Sequence, residues 1–193
     1  MEHPSPAVVA ADVARALEED VGPGDCTAAL IPAGNTLNTK LISRDSAILA
    51  GRAWFEESFR RLQPDISISW SAKDGEGIEP GQDICLIEGL ARAVLTGERT
   101  AINFLQTLSG TASQAHQYVT AVEGTGVIIL DTRKTLPGLR LAQKYAVRCG
   151  GAQNHRVGLF DAILVKENHI SAAGSISAAV AEALRLFPDL LLE

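Results

Sequence analysis

No apolar run in the chain approaches the roughly 18 residues that a membrane span needs. The opening "MEHPSPAVVAADVARALEED" also lacks the cationic start and unbroken apolar stretch of a secretory leader. The expectation is a cytoplasmic protein with no membrane partner. Cysteine is scarce: Cys26, Cys85 and Cys149 are odd in number, widely scattered, and form no C-x-x-C pair. That argues against a disulfide frame or a zinc ribbon and leaves buried free thiols as the expectation. Cations are outnumbered, with 17 Lys and Arg against 23 Asp and Glu for a formal net charge of -6. Such a balance disfavours a general nucleic-acid or anionic-membrane surface but still permits a local basic site. Phosphate loops are missing as well, since no Walker or dinucleotide glycine pattern occurs and "CGGAQNHR" follows a helical stretch rather than a strand. No serine or cysteine sits in a nucleophile elbow, and the four histidines lack metal-ligand spacing. Covalent and zinc chemistries therefore drop out.

What is present suffices for a folded protein. With 46% hydrophobic residues over 193 positions, the chain can bury one good core or two small ones. Ser5 as N-cap and Pro6 at the first helical position start a helix that runs through "AVVAADVARALEED" to the glycines of "VGPGD". "TLNTKLISRDSAILAGR" alternates like a strand pair, and "AWFEESFRRL" has helical spacing through Trp54, Phe55, Phe59 and Leu62. "DISISWSAKDGEGIEPGQDICLIEG" reads as short strands broken by Gly and Pro turns, closing a small α+β domain near Gly89. Its second half shares the look of a lipoyl-type hairpin but has no attachment lysine at the tip.

Two helices follow, "ARAVLTGERTAINFLQTLSG" and "ASQAHQYVTAVEG". Beyond them "GVIILD" and "DAILVK" read as buried parallel strands. Between these lies a helix, "PGLRLAQKYAVRCGG", entered through Pro137 and closed by Gly150 and Gly151. "SISAAVAEALRLF" is the next helix and "LLLE" begins a third strand. The β-α-β-α-β order implies a parallel sheet or barrel, in which function gathers at the carboxyl ends of strands.

From Thr132 to Phe160 there is no Asp or Glu, yet Arg133, Lys134, Arg140, Lys144, Arg148 and Arg156 fall inside, with His155 beside them. Arg140, Lys144 and Arg148 share one helical face and can equally be an ordinary solvated basic surface. Arg133 and Lys134 follow the first strand, His155 and Arg156 lie in the loop before the second, and Lys166 ends the second with His169 close behind. Asp131 and Glu167 are near enough to pair locally with some of these cations. Arg99 has only Leu95, Thr96, Ile102 and Asn103 as its helical neighbours, so no intrahelical carboxylate accounts for it. Guanidinium groups grip carboxylates and phosphates by paired hydrogen bonds while lysine acts as a mobile charge, so several of each imply a polyanionic ligand.

"ALEEDVGPGD", "LTGERTAINFLQTLSG", "DTRKTLPGLR" and "KYAVRCGGAQNHRVGLFDAILVKENHI", in this order, resemble quinolinate phosphoribosyltransferase, from about Ala16 to the last residue. The resemblance implies an N-terminal α/β sandwich domain followed by an incomplete α/β barrel. The expected division is 1–110 for the sandwich with its linking helix and 111–193 for the first part of the barrel. It implies a homodimer with shared active sites. Its reaction transfers the phosphoribosyl group of phosphoribosyl pyrophosphate (PRPP) to quinolinate, with loss of pyrophosphate and carbon dioxide, giving nicotinate mononucleotide for NAD synthesis. Thr132, Arg133, Lys134, His155, Arg156 and Lys166 would bind substrate, with Lys134, His155 and Lys166 also serving the chemistry. Arg99 would reach in from the partner subunit. Magnesium would accompany PRPP, with none of the residues singled out here serving as its ligands.

Two departures stand out. The family's three glycines before the N-H-R triplet are here Gly150, Gly151 and Ala152, which would cost on the order of 1 kcal/mol if that position needs positive φ. Family members also continue for about another third of this length, so the expectation is a truncated or partial chain with an open apolar sheet edge. The alternatives are a non-catalytic quinolinate-binding or assembly fragment, and a paralogue acting on another anionic substrate.

Overall fold

The computed structural model describes residues 4–193. Helix α1 spans Pro6–Val21, with Ser5 in extended conformation ahead of it. The Ser5 side chain makes no capping bond; its carbonyl accepts from the Val8 and Val9 N–H groups instead. Asp20 and Asp25, at and beyond the helix end, accept hydrogen bonds from Thr100 and Thr96 of a later helix. Asp25 also accepts from the N–H groups of Ala28 and Thr27, and these bonds, led by Ala28, hold its carboxyl below the usual range.

The next part is antiparallel. Strands β1 (Thr36–Ile42), β2 (Ala47–Ile48), β3 (Ser67–Trp70), β4 (Gly77–Ile78) and β5 (Asp83–Leu90) form two sheets, ordered β1-β5-β3 and β2-β4. The expected strand pair within residues 36–52 is thus corrected: β1 and β2 are successive strands that never pair with each other. In β5, Ile84, Cys85 and Ile87 are buried, so this strand takes the centre, with Leu41 opposite Cys85 and Trp70 on its other side. At the end of β1, paired bonds between Ser43 and the Gly81–Gln82 turn carry the chain across to the second sheet.

Helix α2 (Arg52–Arg60) lies between two clusters of buried side chains. Phe55 and Phe59 face Ile66, Ile84 and Ile87, while Trp54 enters the helical cluster of Val9, Val13, Phe104 and Leu108. The indole of Trp54 is fully buried and donates to Asp12 at 3.0 Å, which satisfies its one polar atom.

The two expected helices after β5 are one helix, α3 (Ala91–Ala121), running straight through Gly110 and across the expected division at 110/111. A mid-helix glycine costs about 1 kcal/mol relative to alanine. The burial of Leu105, Leu108 and Ala112 on both sides of Gly110 outweighs this, helped by Ser109 and Ser113, whose hydroxyls accept from the Ala50 and Ile48 N–H groups. Helix α4 (Arg140–Cys149) packs on α3 and begins after Leu139 rather than at Pro137, which lies in a turn completed by Gly138 at φ +81°. Helices α5 (Glu167–Ala173), which the pattern did not suggest, and α6 (Ile176–Leu186) follow. Ser175 caps α6 by accepting from the Ala178 N–H.

The parallel strands prove minimal. Residues 129–131 pair with Gln153, and Ile163 and Val165 pair with residues 191–193, each as a bridge with two or three backbone bonds. Val127 and Ile128 are 58% and 60% exposed, so "GVIILD" is not the buried strand expected. It has a single strand neighbour among the described residues, and nothing packs over its outward side chains. No closed barrel forms among these residues. Among the described residues no helix is long and apolar enough to cross a membrane.

Burial pushes the thiols of Cys85 and Cys149 up to about 12, whereas Cys26 is exposed. Reaction with a disulfide reagent near pH 8 should therefore titrate Cys26 alone in the folded protein and all three cysteines after unfolding in urea. Fast labelling of all three without denaturant would contradict this packing.

Candidate active site

The site begins with a buried ion pair. Asp131 ends the first parallel segment and Lys144 lies mid-way along α4; their side chains are 7% and 4% exposed and meet at 2.5 Å. Lys144 also donates to the His155 carbonyl at 3.0 Å. The same Asp131 carboxylate accepts from the His155 N–H at 2.9 Å and from the Asn154 amide at 2.7 Å. Both oxygens of the carboxylate thus find donors, three in all, the condition for burying the charge without large cost. Arg148 donates to the Asn154 side-chain oxygen at 3.0 Å, and Arg140 is tied to Thr135 and the Val157 carbonyl. The shared face of Arg140, Lys144 and Arg148 is therefore neither a solvated surface nor an anion clamp. It is internal bracing.

That bracing carries the remaining cations. His155 and Arg156 lie, as expected, in the stretch before the second segment, directly following the Gln153 that pairs in parallel with residues 129–131. Arg133 and Lys134 leave the end of the neighbouring segment. Thr132 shapes that exit by accepting the Lys134 N–H at 3.1 Å. Lys134 and Lys166 are exposed. Arg133 has a buried Nε with no hydrogen-bond partner among the described residues, an orphan donor of the kind a ligand oxygen satisfies. Arg156 donates to the Ala162 carbonyl at 3.2 Å. Asp161 accepts from the Val157 and Gly158 N–H groups, bonds that hold its carboxyl below the usual range and close the turn after Arg156. The Lys166 N–H donates to Nδ1 of His169 at 3.0 Å.

Two residues escaped the sequence reading. Glu193 pairs through its backbone with Ile163 and Val165 and brings its carboxylate 2.9 Å from Nε2 of His155, linking the two parallel ladders. Its position in "LLLE", at the carboxyl end of a strand, was the available signal. Asn154 was visible only as the first residue of the N-H-R triplet, because an amide in an extended segment gives no hint of what it binds.

Arg99 is the outlier. It lies on the exposed side of α3 and lines a groove of about 690 Å³ with Arg44, Ser43 and Gln106 above an apolar floor of Leu41 and Leu105. The groove is lined by none of Arg133, Lys134, His155, Arg156 or Lys166. The doubt over Ala152 is resolved: no non-glycine among the described residues has positive φ. Gly151 takes that conformation at φ +89° while Ala152 is buried without strain.

Arg and Lys side chains gathered at the carboxyl ends of parallel segments in an α/β protein are the arrangement found in the class of proteins that handle phosphates and carboxylates. Sequence comparisons narrow this class. Models of the quinolinate phosphoribosyl transferase N-terminal and C-terminal domains match residues 25–109 and 111–192. A probable nicotinate-nucleotide pyrophosphorylase (carboxylating) of Bacillus subtilis is 41% identical over 86% of this chain and 57% of its own length. The nicotinate-nucleotide pyrophosphorylase (carboxylating) of Mycobacterium leprae is 38% identical over 94% of this chain and 65% of its own. The solved nicotinate-nucleotide pyrophosphorylase of Francisella tularensis superposes with a TM-score of 0.95 at 42% identity, covering 98% of this chain and 68% of that one. The chain belongs to the quinolinate phosphoribosyl transferase family. It spans little more than half the length of the Bacillus relative.

Proposed function

We propose that this chain carries the substrate-binding half of a quinolinate phosphoribosyltransferase, which moves the phosphoribosyl group of PRPP onto quinolinate with decarboxylation in NAD biosynthesis. The observation that carries this reading is the orphaned, buried Nε of Arg133 beside exposed Lys134, one segment away from His155 and Arg156. Two adjacent carboxylates on one pyridine repel each other, so collecting them needs fixed cations in a partly desolvated place. Arg133 and Arg156 supply planar forks for carboxylates. Lys134, Lys166 and His155 supply charge for the phosphates and for the pyrophosphate that departs as the anomeric carbon is attacked by the ring nitrogen. Thr132 orients the turn that presents Arg133 and Lys134. Loss of carbon dioxide then leaves a carbanion beside a positively charged ring nitrogen, so no side-chain nucleophile is required.

In this reading the chain folds as the family's sandwich and the opening part of its barrel, divided near residues 110/111. It works in the cytoplasm as a homodimer, in which Arg99 and its groove serve the partner subunit's site. Magnesium enters with PRPP. Among the described residues no group of three or more His, Cys, Asp or Glu gathers to hold a metal, and Asp131 is already fully engaged.

Calorimetric titration with quinolinate tests the proposal. Wild-type protein should bind. Arg133→Gln should bind about 10 to 100-fold more weakly, the worth of one charge-assisted carboxylate contact, with an unchanged melting temperature. Incubation with quinolinate, PRPP and magnesium, followed by pyrophosphate detection, separates turnover from binding alone. Unaltered affinity in Arg133→Gln would remove the basis of this assignment.

A further inference from the structure

We propose that Asn154 is a positioning residue that, with Asp131, clasps the two cation-bearing segments together and so selects for adjacent rather than separated carboxylates on the ligand ring. The inference rests on the reading of this site as a quinolinate clamp.

Asn154 immediately precedes His155 and Arg156, yet its amide is fully committed inward. Its Nδ2 donates to Asp131 at 2.7 Å and to the Lys144 carbonyl at 2.9 Å, and its oxygen accepts from Arg148 at 3.0 Å. While these bonds hold, the side chain has no donor left for a ligand. Its role has to be exerted through what it joins.

What it joins is the place where the parallel ladder ends. Backbone pairing between the two segments consists of Asp131 N–H to the Gln153 carbonyl and Gln153 N–H to the Ile129 carbonyl, at 3.0 and 2.9 Å. One residue further on, the Asp131 carboxylate takes over, bonded to the side chain of Asn154 and to the N–H of His155. Arg133 and Lys134 lie two and three positions beyond Asp131; His155 and Arg156 lie one and two positions beyond Asn154. The clasp is the last side-chain link before the cations diverge, and Lys144 neutralises the carboxylate that makes it. A ligand with carboxylates on neighbouring ring carbons demands two cationic groups at one short separation. A ligand with carboxylates further apart tolerates a wider spread. Loosening the clasp should therefore reduce discrimination more than it reduces attraction, because the charges themselves remain.

The test compares quinolinate with dinicotinate, whose carboxylates are separated by an intervening ring carbon. Both are titrated by calorimetry, with competition for the weaker ligand, into wild type, Asn154→Ala and Arg148→Met. Wild type should prefer quinolinate. Asn154→Ala should lower that preference by about tenfold while leaving dinicotinate affinity nearly unchanged. Arg148→Met removes the donor to the Asn154 oxygen together with the guanidinium that lies 6.0 Å over the Tyr145 ring; with its fold checked by melting temperature, it should shift the preference the same way by a smaller factor. It decides the matter if Asn154→Ala does not fold. Equal losses for both ligands in whichever variant folds would overturn the clasp while leaving the clamp intact. A wild type that binds neither ligand would overturn the site reading, and the clasp with it.

Discussion

Asp131→Ala should lower stability by about 3–5 kcal/mol, the usual result of stripping one partner from a buried ion pair, and should abolish quinolinate binding at the same time. The substitution leaves the Lys144 ammonium without its counter-charge in a position that is nearly inaccessible to water. It also removes the acceptor of one Asn154 amide N–H and of the His155 N–H. Urea unfolding followed by circular dichroism checks the first part, and the midpoint should fall with little change in slope. The second part is checked by titration at a temperature where the variant is still folded. The double variant Asp131→Leu with Lys144→Met should recover much of the stability, because an apolar pair of similar volume carries no desolvation cost. It should not recover binding, because neither leucine nor methionine can hold His155. A single variant with near wild-type stability would mean that the pair is more solvated than its burial indicates.

Gly150→Ala is expected to destabilise by about 3 kcal/mol or more, lowering the melting temperature by roughly 6–12 °C. The cause is space rather than torsion, since Gly150 has φ -77°, a conformation alanine adopts freely. A β-carbon there would lie 2.8 Å from Ala115 Cβ and 3.0 Å from the His116 nitrogen, and closer still to the Ala112 carbonyl oxygen. Two of these three obstacles are helix backbone, which cannot swing aside as a side-chain tip can. Helices α3 and α4 would have to separate, disturbing the packing of Ala112, Tyr145 and Cys149. The neighbouring Gly151→Ala offers a control with the opposite cause: its φ of +89° is strained for alanine, but its nearest neighbour, a Val119 methyl, is 3.7 Å away. That variant should cost about 1 kcal/mol. If the two substitutions melt alike in differential scanning calorimetry, the close approach of the helices is not what glycine serves at 150.

How legible the molecule was from its residues depends on the range of the interaction involved. Helix α1, helix α2 and helix α6 follow from local signals: Pro6 at the helix start, the spacing of Trp54, Phe55 and Phe59, and the run "SISAAVAEALRLF". The rim cations Arg133, Lys134, His155, Arg156 and Lys166 were recognisable because an acid-free window surrounds most of them and because short apolar runs precede Arg133 and Lys166. The helix break at Gly110 was misread. Glycine weakens a helix by a local propensity term, and nothing local reports that Ser109 and Ser113 bond to residues about sixty positions earlier. The burial of "GVIILD" was misread for a similar reason, because an apolar run shows what a segment can pack against but not whether anything covers it.

By itself, then, the order of residues determined where chemistry could occur: cations placed at the ends of apolar segments in an otherwise acidic chain, with no nucleophile, metal cluster or nucleotide loop to compete. Only the tertiary structure decided which of those cations are available. Lys144, Arg140 and Arg148 lie in the same acid-free window as Arg133 and Lys134, and they are engaged by Asp131, the Val157 carbonyl and Asn154. A charge is free or spent according to what folds against it from far along the chain. That depends on the burial and geometry of the partner, neither of which is encoded in the residue's own neighbourhood.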